Sequence, residues 1–249
     1  MKLTILGAGT CIPYPDHSPA GHLVEIDGNM ILLDAGPGTI VRLAERGVSY
    51  RDLSYIVLTH LHTDHALDLL TFLQANNATP GWKRTEPVIL VGPRGIKEWL
   101  SRLFDLFDGT APEGFALEIH ELGAETLAFQ TWHLQTELTG HTPTSVAYRV
   151  SDGRKSLVYT GDAANTQGIA RLARDADLLL IECSLPDGWQ TPDHLTPRQV
   201  GEVAGRANVR RVVLTHLYPP ALATDIAAEV GVYFHGPVAV GHDGWSVSL

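Results

Sequence analysis

The chain has 249 residues, 44% of them hydrophobic and 18% charged, enough to bury a substantial core in one domain spanning 1–249 and too apolar for a disordered segment. No apolar stretch approaches the roughly 20 residues of a membrane helix, and the first residues run straight into a strand pattern without a signal-peptide core, so a cytoplasmic protein is expected. A formal charge of −10 opposes non-specific binding to nucleic acid, because affinity for a polyanion comes largely from Lys and Arg on phosphates.

In chain order, apolar runs at 2–8, 22–27 and 29–34 predict three strands, the last two joined by the turn pair Asp27-Gly28. Gly7-Ala8-Gly9 after the first of them is half of a dinucleotide fingerprint, but a third glycine is missing, Ile12-Pro13 follows and no helix starts there; close backbone packing is the expectation. Apolar recurrence at three and four residues predicts helices at 38–46, 66–75, 94–107, 165–174, 196–206 and 220–230. Strands are predicted at 55–60, 88–92, 117–121, 126–134, 145–150, 156–161, 177–183, 210–216 and 237–248. The helix at 196–206 carries its own start signal, with Thr196 as N-cap, Pro197 in the first turn and Gln199 closing a capping box. Strand pairs come early, helices are interspersed, and a second set of hairpin-linked strands follows, so two sheets covered by helices fit better than one doubly wound sheet. Cys11 and Cys183 are too few for a disulfide framework and are expected to be buried small apolar side chains.

The chemistry concentrates in Thr59-His-Leu-His-Thr-Asp-His65. The buried run before it reads as a strand ending at His60 and the run after it as a helix, so His60, His62, Asp64 and His65 are expected on the connecting loop, where sites are built. Imidazole and carboxylate are the ligands of zinc-like cations, and His-x-His-x-Asp-His lets alternate side chains converge on one point while the next pair turns to a neighbouring point. Four polar groups packed there without a metal would cost several kcal/mol in desolvation. Further candidates stand at strand ends: His141 before one strand, Asp162 and His216 after two others.

These residues resemble the metallo-β-lactamase superfamily, through "THLHTDH" and "LLDAGPGTIVRL". The likeness narrows to its ribonuclease Z-like branch through "HTPTSVAYRV", "YTGDA", "LLIECS", "HLTPRQVGEVA" and "VVLTHLYPP", in order along nearly the whole chain. The resemblance implies an α/β fold, a four-layered αββα sandwich of two mixed sheets flanked by helices, with a dinuclear site at one edge. It also implies one metal held by His60, His62 and His141, a second by Asp64, His65 and His216, Asp162 bridging both, Asp34 supporting the ligands, and His194 as a proton donor beside the metals. The other histidines are expected to be structural or solvent-facing, with His17 and His22 as candidates to line the cleft.

Two divalent ions bridged by a carboxylate activate a shared water and clamp the attacking and leaving oxygens of a displacement. The expected enzyme is therefore a metal-dependent hydrolase whose metal-bridging hydroxide attacks a small phosphodiester or related ester, Asp64 accepting a proton and His194 protonating the leaving oxygen. Nitrogen and oxygen ligands favour Zn2+, with Mn2+ or Fe2+ tolerated. The sequence departs from a tRNA-processing ribonuclease Z in having no basic, Gly-rich arm on either side of His141, which favours a small-molecule ester over RNA. An RNA 3′-processing nuclease, a lactonase or a thioester hydrolase on the same scaffold stay as alternatives, as does a homodimer. Loops 10–22 and 76–87 are the expected seat of specificity.

Overall fold

The computed structural model describes residues 1–189 and 191–249. Its first half runs β1 (Lys2–Gly7), β2 (Gly21–Ile26), β3 (Asn29–Ala35), α1 (Thr39–Glu45), β4 (Tyr55–Val57), α2 (Thr63–Ala66), α3 (Asp68–Ala78), β5 (Val88–Pro93), α4 (Ile96–Leu106) and β6 (Leu117–Leu122). The second runs β7 (Thr126–Ala128), β8 (His133–Leu138), β9 (Val146–Ser151), β10 (Ser156–Tyr159), α5 (Thr166–Leu172), β11 (Leu178–Glu182), α6 (Pro197–Ala207), β12 (Val212–Thr215), α7 (Pro219–Leu222), α8 (Ile226–Gly231), β13 (Val238–Val240) and β14 (Ser246–Ser248).

Two seven-stranded sheets form, ordered β14-β1-β2-β3-β4-β5-β6 and β13-β12-β11-β10-β9-β8-β7. In each, an antiparallel part gives way to three parallel steps, from β3 to β6 and from β10 to β13. Successive strand residues face opposite sides of a sheet, and here both sides are apolar. Leu3, Ile5, Val24, Ile31, Leu33 and Val57 meet Tyr148, Val150, Leu157, Tyr159, Leu180 and Val213 between the sheets. Their alternates Leu6, Leu23, Leu32, Ile56 and Leu58 pack under Leu43, Leu69, Phe72, Leu73 and Leu100 of the outer helices. On the other side Val158, Leu179, Ile181, Val212 and Leu214 pack under α5, α6 and α8. This is the expected αββα sandwich, and burial on both faces explains why the central strands read as unbroken apolar runs.

The helix at 196–206 begins as expected, with both halves of the capping box formed. Gly7 and Gly9 serve close packing: a Cβ on Gly9 would lie 2.3 Å from the His17 carbonyl oxygen, and one on Gly7 1.9 Å from that of Pro19. Several boundaries differ from expectation. The run at 237–248 is two strands in different sheets, broken by a turn at Asp243-Gly244 whose carboxylate accepts from Ala8 N and Ser18 N. The 126–134 strand divides at a turn into β7 and β8, and the 220–230 helix into α7 and α8, the latter capped by Asp225. Cys183 is buried but Cys11 is exposed, at the end of the β1 turn where no strand packs over it.

Candidate metal centre

The candidate residues converge at the edge formed by the carboxyl ends of the parallel strands, the usual place for sites in α/β sheets. Asp34 is the last residue but one of β3, His60 and His62 follow β4, Asp162 follows β10, His216 follows β12, and His141 lies in the turn ahead of β9. Asp64 and His65 differ from the expected loop position: they lie inside the short helix α2, which begins at Thr63 before the apolar periodicity starts. One turn of helix presents both side chains inward, and both are buried. Hydrogen bonds from Tyr148 Oη to Leu58 O (2.8 Å) and from Val146 N to Thr59 O (3.0 Å) fasten the two sheets beside the site.

Two groups of possible ligand atoms result. In the first, His62 Nδ1 lies 3.0 Å from His60 Nε2 and 3.3 Å from His141 Nε2. Asp162 Oδ2 is 3.8 Å from His60 Nε2 and 3.6 Å from His141 Nε2. In the second, Asp64 Oδ2 is 3.8 Å from His65 Nε2 and 3.5 Å from His216 Nε2. Asp162 Oδ1 is 3.3 Å from His65 Nε2 and 3.3 Å from His216 Nδ1. Ligands about 2.0–2.1 Å from a tetrahedral zinc-like ion stand roughly 3.3 Å from one another, so the spacing suits a cation in each group. Three atoms of the second group, His65 Nε2, Asp162 Oδ1 and His216 Nε2, are buried without any hydrogen-bond partner. Orphaned polar atoms of this kind are rare in a folded interior, and cations held by the two groups would give them partners.

The surrounding groups fix which ring nitrogens carry lone pairs. Thr59 gives its only hydroxyl proton to Asp34 Oδ2 (2.8 Å), so at 3.0 Å it accepts from His60 Nδ1 and leaves Nε2 free. His65 Nδ1 donates to Asp34 Oδ2 (2.8 Å) and His141 Nδ1 to the Asp193 carbonyl (2.9 Å), with the same result. Asp34 also accepts from Thr59 N (2.7 Å) and Tyr159 Oη (2.7 Å). Both Asp34 (φ 57°) and His216 (φ 54°) adopt the left-handed backbone conformation, uncommon outside glycine and typical of side chains re-aimed at a site.

The electrostatics differ from ring to ring. Burial, helped by the neighbouring His65, pushes the His60 imidazole well below its ordinary value. For His65 burial acts in the same sense but is outweighed by Asp162 and Asp34, which hold its proton well above the ordinary range. Burial opposes ionisation of Asp162, yet His216 and His65 keep its carboxyl well below the usual carboxylate range. His194 reaches the site from the stretch ahead of α6, its ring 5.0 Å from that of His141 and 5.5 Å from that of His216. Burial would lower its pKa, but Glu182 raises it to about 9.

Glu182 is the functional residue that the sequence reading did not single out. Fully buried at the end of β11, it accepts from His194 Nδ1 at 3.1 Å, from Ala163 N at 2.6 Å and from Ser184 Oγ. A carboxylate closing the apolar run Leu178–Ile181 was the available signal, since an ionised group there needs partners. Two other expectations are corrected. His22 does not line the cleft: it is fully buried edge-on to Tyr159, ring centres 4.7 Å apart, and burial with the nearby His65 and His216 lowers its pKa to about 3. Loop 76–87 does not border the site: residues 76–78 finish α3, which carries the chain back to the start of β5 at the far edge of the sheet, and 79–87 lie there. There Arg84 is held by the carbonyls of Arg51 (2.8 Å) and Leu53 (3.1 Å).

Comparison with known proteins agrees with this arrangement. An uncharacterized protein of Mycobacterium leprae is 30% identical over 96% of this chain and 85% of its own length, and ribonuclease Z of Mycobacterium bovis is 28% identical over 98% and 96%. Among solved structures, the metallo-β-lactamase fold protein YhfI of Bacillus subtilis superposes with a TM-score of 0.87 at 22% identity, covering 99% of this chain and 98% of that one. The short form of human tRNase Z gives 0.81 at 21%, covering 100% and 99%, and a diphosphatase of the PhnP family 0.75 at 18%, covering 100% and 97%. The sequence model of the beta-lactamase superfamily domain matches residues 29–217. With a match across most of its length and a His/Asp cluster fit for divalent cations, the chain belongs to the metallo-β-lactamase superfamily, in its ribonuclease Z-like branch, and is a metal-dependent hydrolase.

Proposed function

We propose that the chain binds two divalent ions, Zn2+ in the first place, and hydrolyses a small phosphodiester or related ester. In this reading His60, His62 and His141 would hold one ion and Asp64, His65 and His216 the other, with Asp162 between the two groups. The observation that carries it is the trio of buried, unpartnered atoms on His65, Asp162 and His216 beside the His60, His62 and His141 nitrogens. Bound divalent ions supply Lewis acidity, lowering the pKa of water and polarising an ester oxygen.

The chain's own groups do the rest. Asp64, 8% exposed, can accept a proton from the attacking water while its other oxygen stays directed at His65 and His216. His194 keeps its Nδ1 proton on Glu182 and so turns Nε2 toward the leaving oxygen, to which it gives its proton. Ser184 Oγ, 3.4 Å from His194 Nδ1 and 3.1 Å from His216 Nδ1, ties donor and ligand into one network.

Ribonuclease Z-type RNA processing is the second reading, favoured by the Mycobacterium bovis relative. Against it stand the net charge of −10 and the segment between His65 and His141, which is taken up by α3, β5, α4, β6, β7 and β8 without a projecting arm among the described residues. Elemental analysis of protein purified without chelator should find close to two divalent ions per chain, and His62→Ala should lose most of the metal and the activity. The loaded protein should turn over bis(p-nitrophenyl) phosphate faster than it cuts a tRNA precursor. Efficient cutting of the tRNA 3′ end at physiological salt would reverse the ranking, and protein that holds and takes up no metal would end the proposal.

A further inference from the structure

Seven segments build the rim of the site: 8–20 after β1, 34–39 after β3, 58–67 after β4, 139–145 ahead of β9, 160–165 after β10, the described residues of 183–196 (183–189 and 191–196) after β11, and 216–222 after β12. None of the seven contains a Lys or an Arg, although the chain has 18. Apart from the site carboxylates, the acids they carry are Asp16, Asp187 and Asp193, all exposed. Cations that flank these segments are already engaged: Arg198, in the first turn of α6, pairs with Glu202 (2.9 Å). Arg42 donates to Ser18 Oγ (2.7 Å) and faces Asp243 (3.4 Å), and Arg94, past β5, pairs with Glu125 (3.3 Å). A substrate anion beyond the one at the reacting centre would therefore meet no positive partner, and recognition of phosphates relies on such partners.

One wall of the rim is apolar instead. The Tyr218 ring lies 5.8 Å from the ring of His194 and 5.7 Å from that of His216. Its hydroxyl is 3.8 Å from Cys11 Sγ, which brings the 10–17 loop against the donor side of the site. That loop exposes Ile12 (45%) and Tyr14 (44%), two large apolar side chains on one short loop, and grouped apolar surface beside a site marks a place for a ligand.

Building on the phosphodiesterase reading, we infer that the substrate is an ester with a single negative charge and an apolar or aromatic group, seated on Ile12, Tyr14 and Tyr218, and not a polyanion such as RNA or a nucleotide with further phosphates. Two substrate pairs with a common p-nitrophenolate leaving group test this on the metal-loaded protein. Between p-nitrophenyl phenyl phosphate and p-nitrophenyl methyl phosphate, kcat/KM should favour the phenyl ester by about tenfold or more, the discrimination an apolar pocket supplies. Ile12→Ala combined with Tyr14→Ala should cut that preference to about twofold or less, with metal content and Tm as the check that the fold persists. Between p-nitrophenyl propyl and p-nitrophenyl 2-carboxyethyl phosphate, the second negative charge should cost about tenfold. Equal turnover within either pair, or a phenyl preference untouched in the double variant, overturns the inference while leaving a phosphodiesterase. Metal-loaded protein that turns over none of the four diesters overturns the underlying reading and this one with it.

Discussion

The Asp34 carboxylate accepts four hydrogen bonds, from Thr59 N, Thr59 Oγ1, His65 Nδ1 and Tyr159 Oη, with no exposure to solvent. Its role is to orient: it selects the His65 tautomer, engages the hydroxyl that selects the His60 tautomer, and ties a β10 side chain across to β3. Asp34→Ala strands those donors, so unfolding free energy should drop by about 3–5 kcal/mol and metal affinity by about 10–100-fold. Denaturation and a metal titration measure the two separately. His194 makes the opposite prediction. If it donates the proton, His194→Ala keeps both metals and lowers kcat by about 10²–10⁴ on an alkyl ester. It should be far less impaired when p-nitrophenolate, a weak base, departs unaided. Equal loss on both esters, or loss of metal, would show that His194 supports the site and is not its acid.

At the scale of elements, the connection from α3 to β5 shows how a segment that looked like a specificity loop has a structural task. Arg84, only 4% exposed, donates from Nε to Asn76 Oδ1 (2.5 Å) and from Nη2 to the carbonyls of Arg51 and Leu53 just ahead of β4. It sets the end of α3 against the entry to the strand that delivers His60. Arg84→Ala would leave two buried acceptors, Asn76 Oδ1 and the Leu53 carbonyl, without this donor, at about 1–3 kcal/mol each. We expect a loss of several kcal/mol, seen as a lower denaturation midpoint, with kcat/KM unchanged at temperatures where the variant is folded. A change in substrate preference would return this segment to the site.

For the whole molecule, the proposed ligands come from both sheets, so metal binding and tertiary stability would be one equilibrium. His60, His62, Asp64 and His65 come with the first sheet, His141, Asp162 and His216 with the second. A chelator should lower Tm by roughly 5–15 °C, the size expected when a ligand at some hundreds of times its Kd is removed from a chain of this length. Adding Zn2+ back should restore it. Protons compete with the metals, since His65 keeps its proton between Asp34 and Asp162 to well above the ordinary imidazole value and must release it to bind a cation. The Tm gain from metal should therefore grow as pH rises and shrink as it falls, and a gain independent of pH would refute this account of His65.

The sequence by itself determined the parts governed by short-range geometry. His60, His62, Asp64 and His65 fall within one strand end and one helical turn, so their convergence needs no distant partner. The capping box at Thr196 is local too, and unbroken apolar strands flanked by amphipathic helices already require sheets covered on both faces. His141, Asp162 and His216 were legible as polar residues at strand ends, but their common destination was readable only through the family likeness. What puts them beside His60 is the order of strands in the second sheet and its packing on the first. The tertiary structure alone decided that Glu182 stands behind His194, that Cys11 faces Tyr218, that 237–248 serves two sheets, and that 79–87 lies at the far edge. Each depends on contacts between residues far apart in the chain, where the energies that choose among arrangements come from the packing of whole layers.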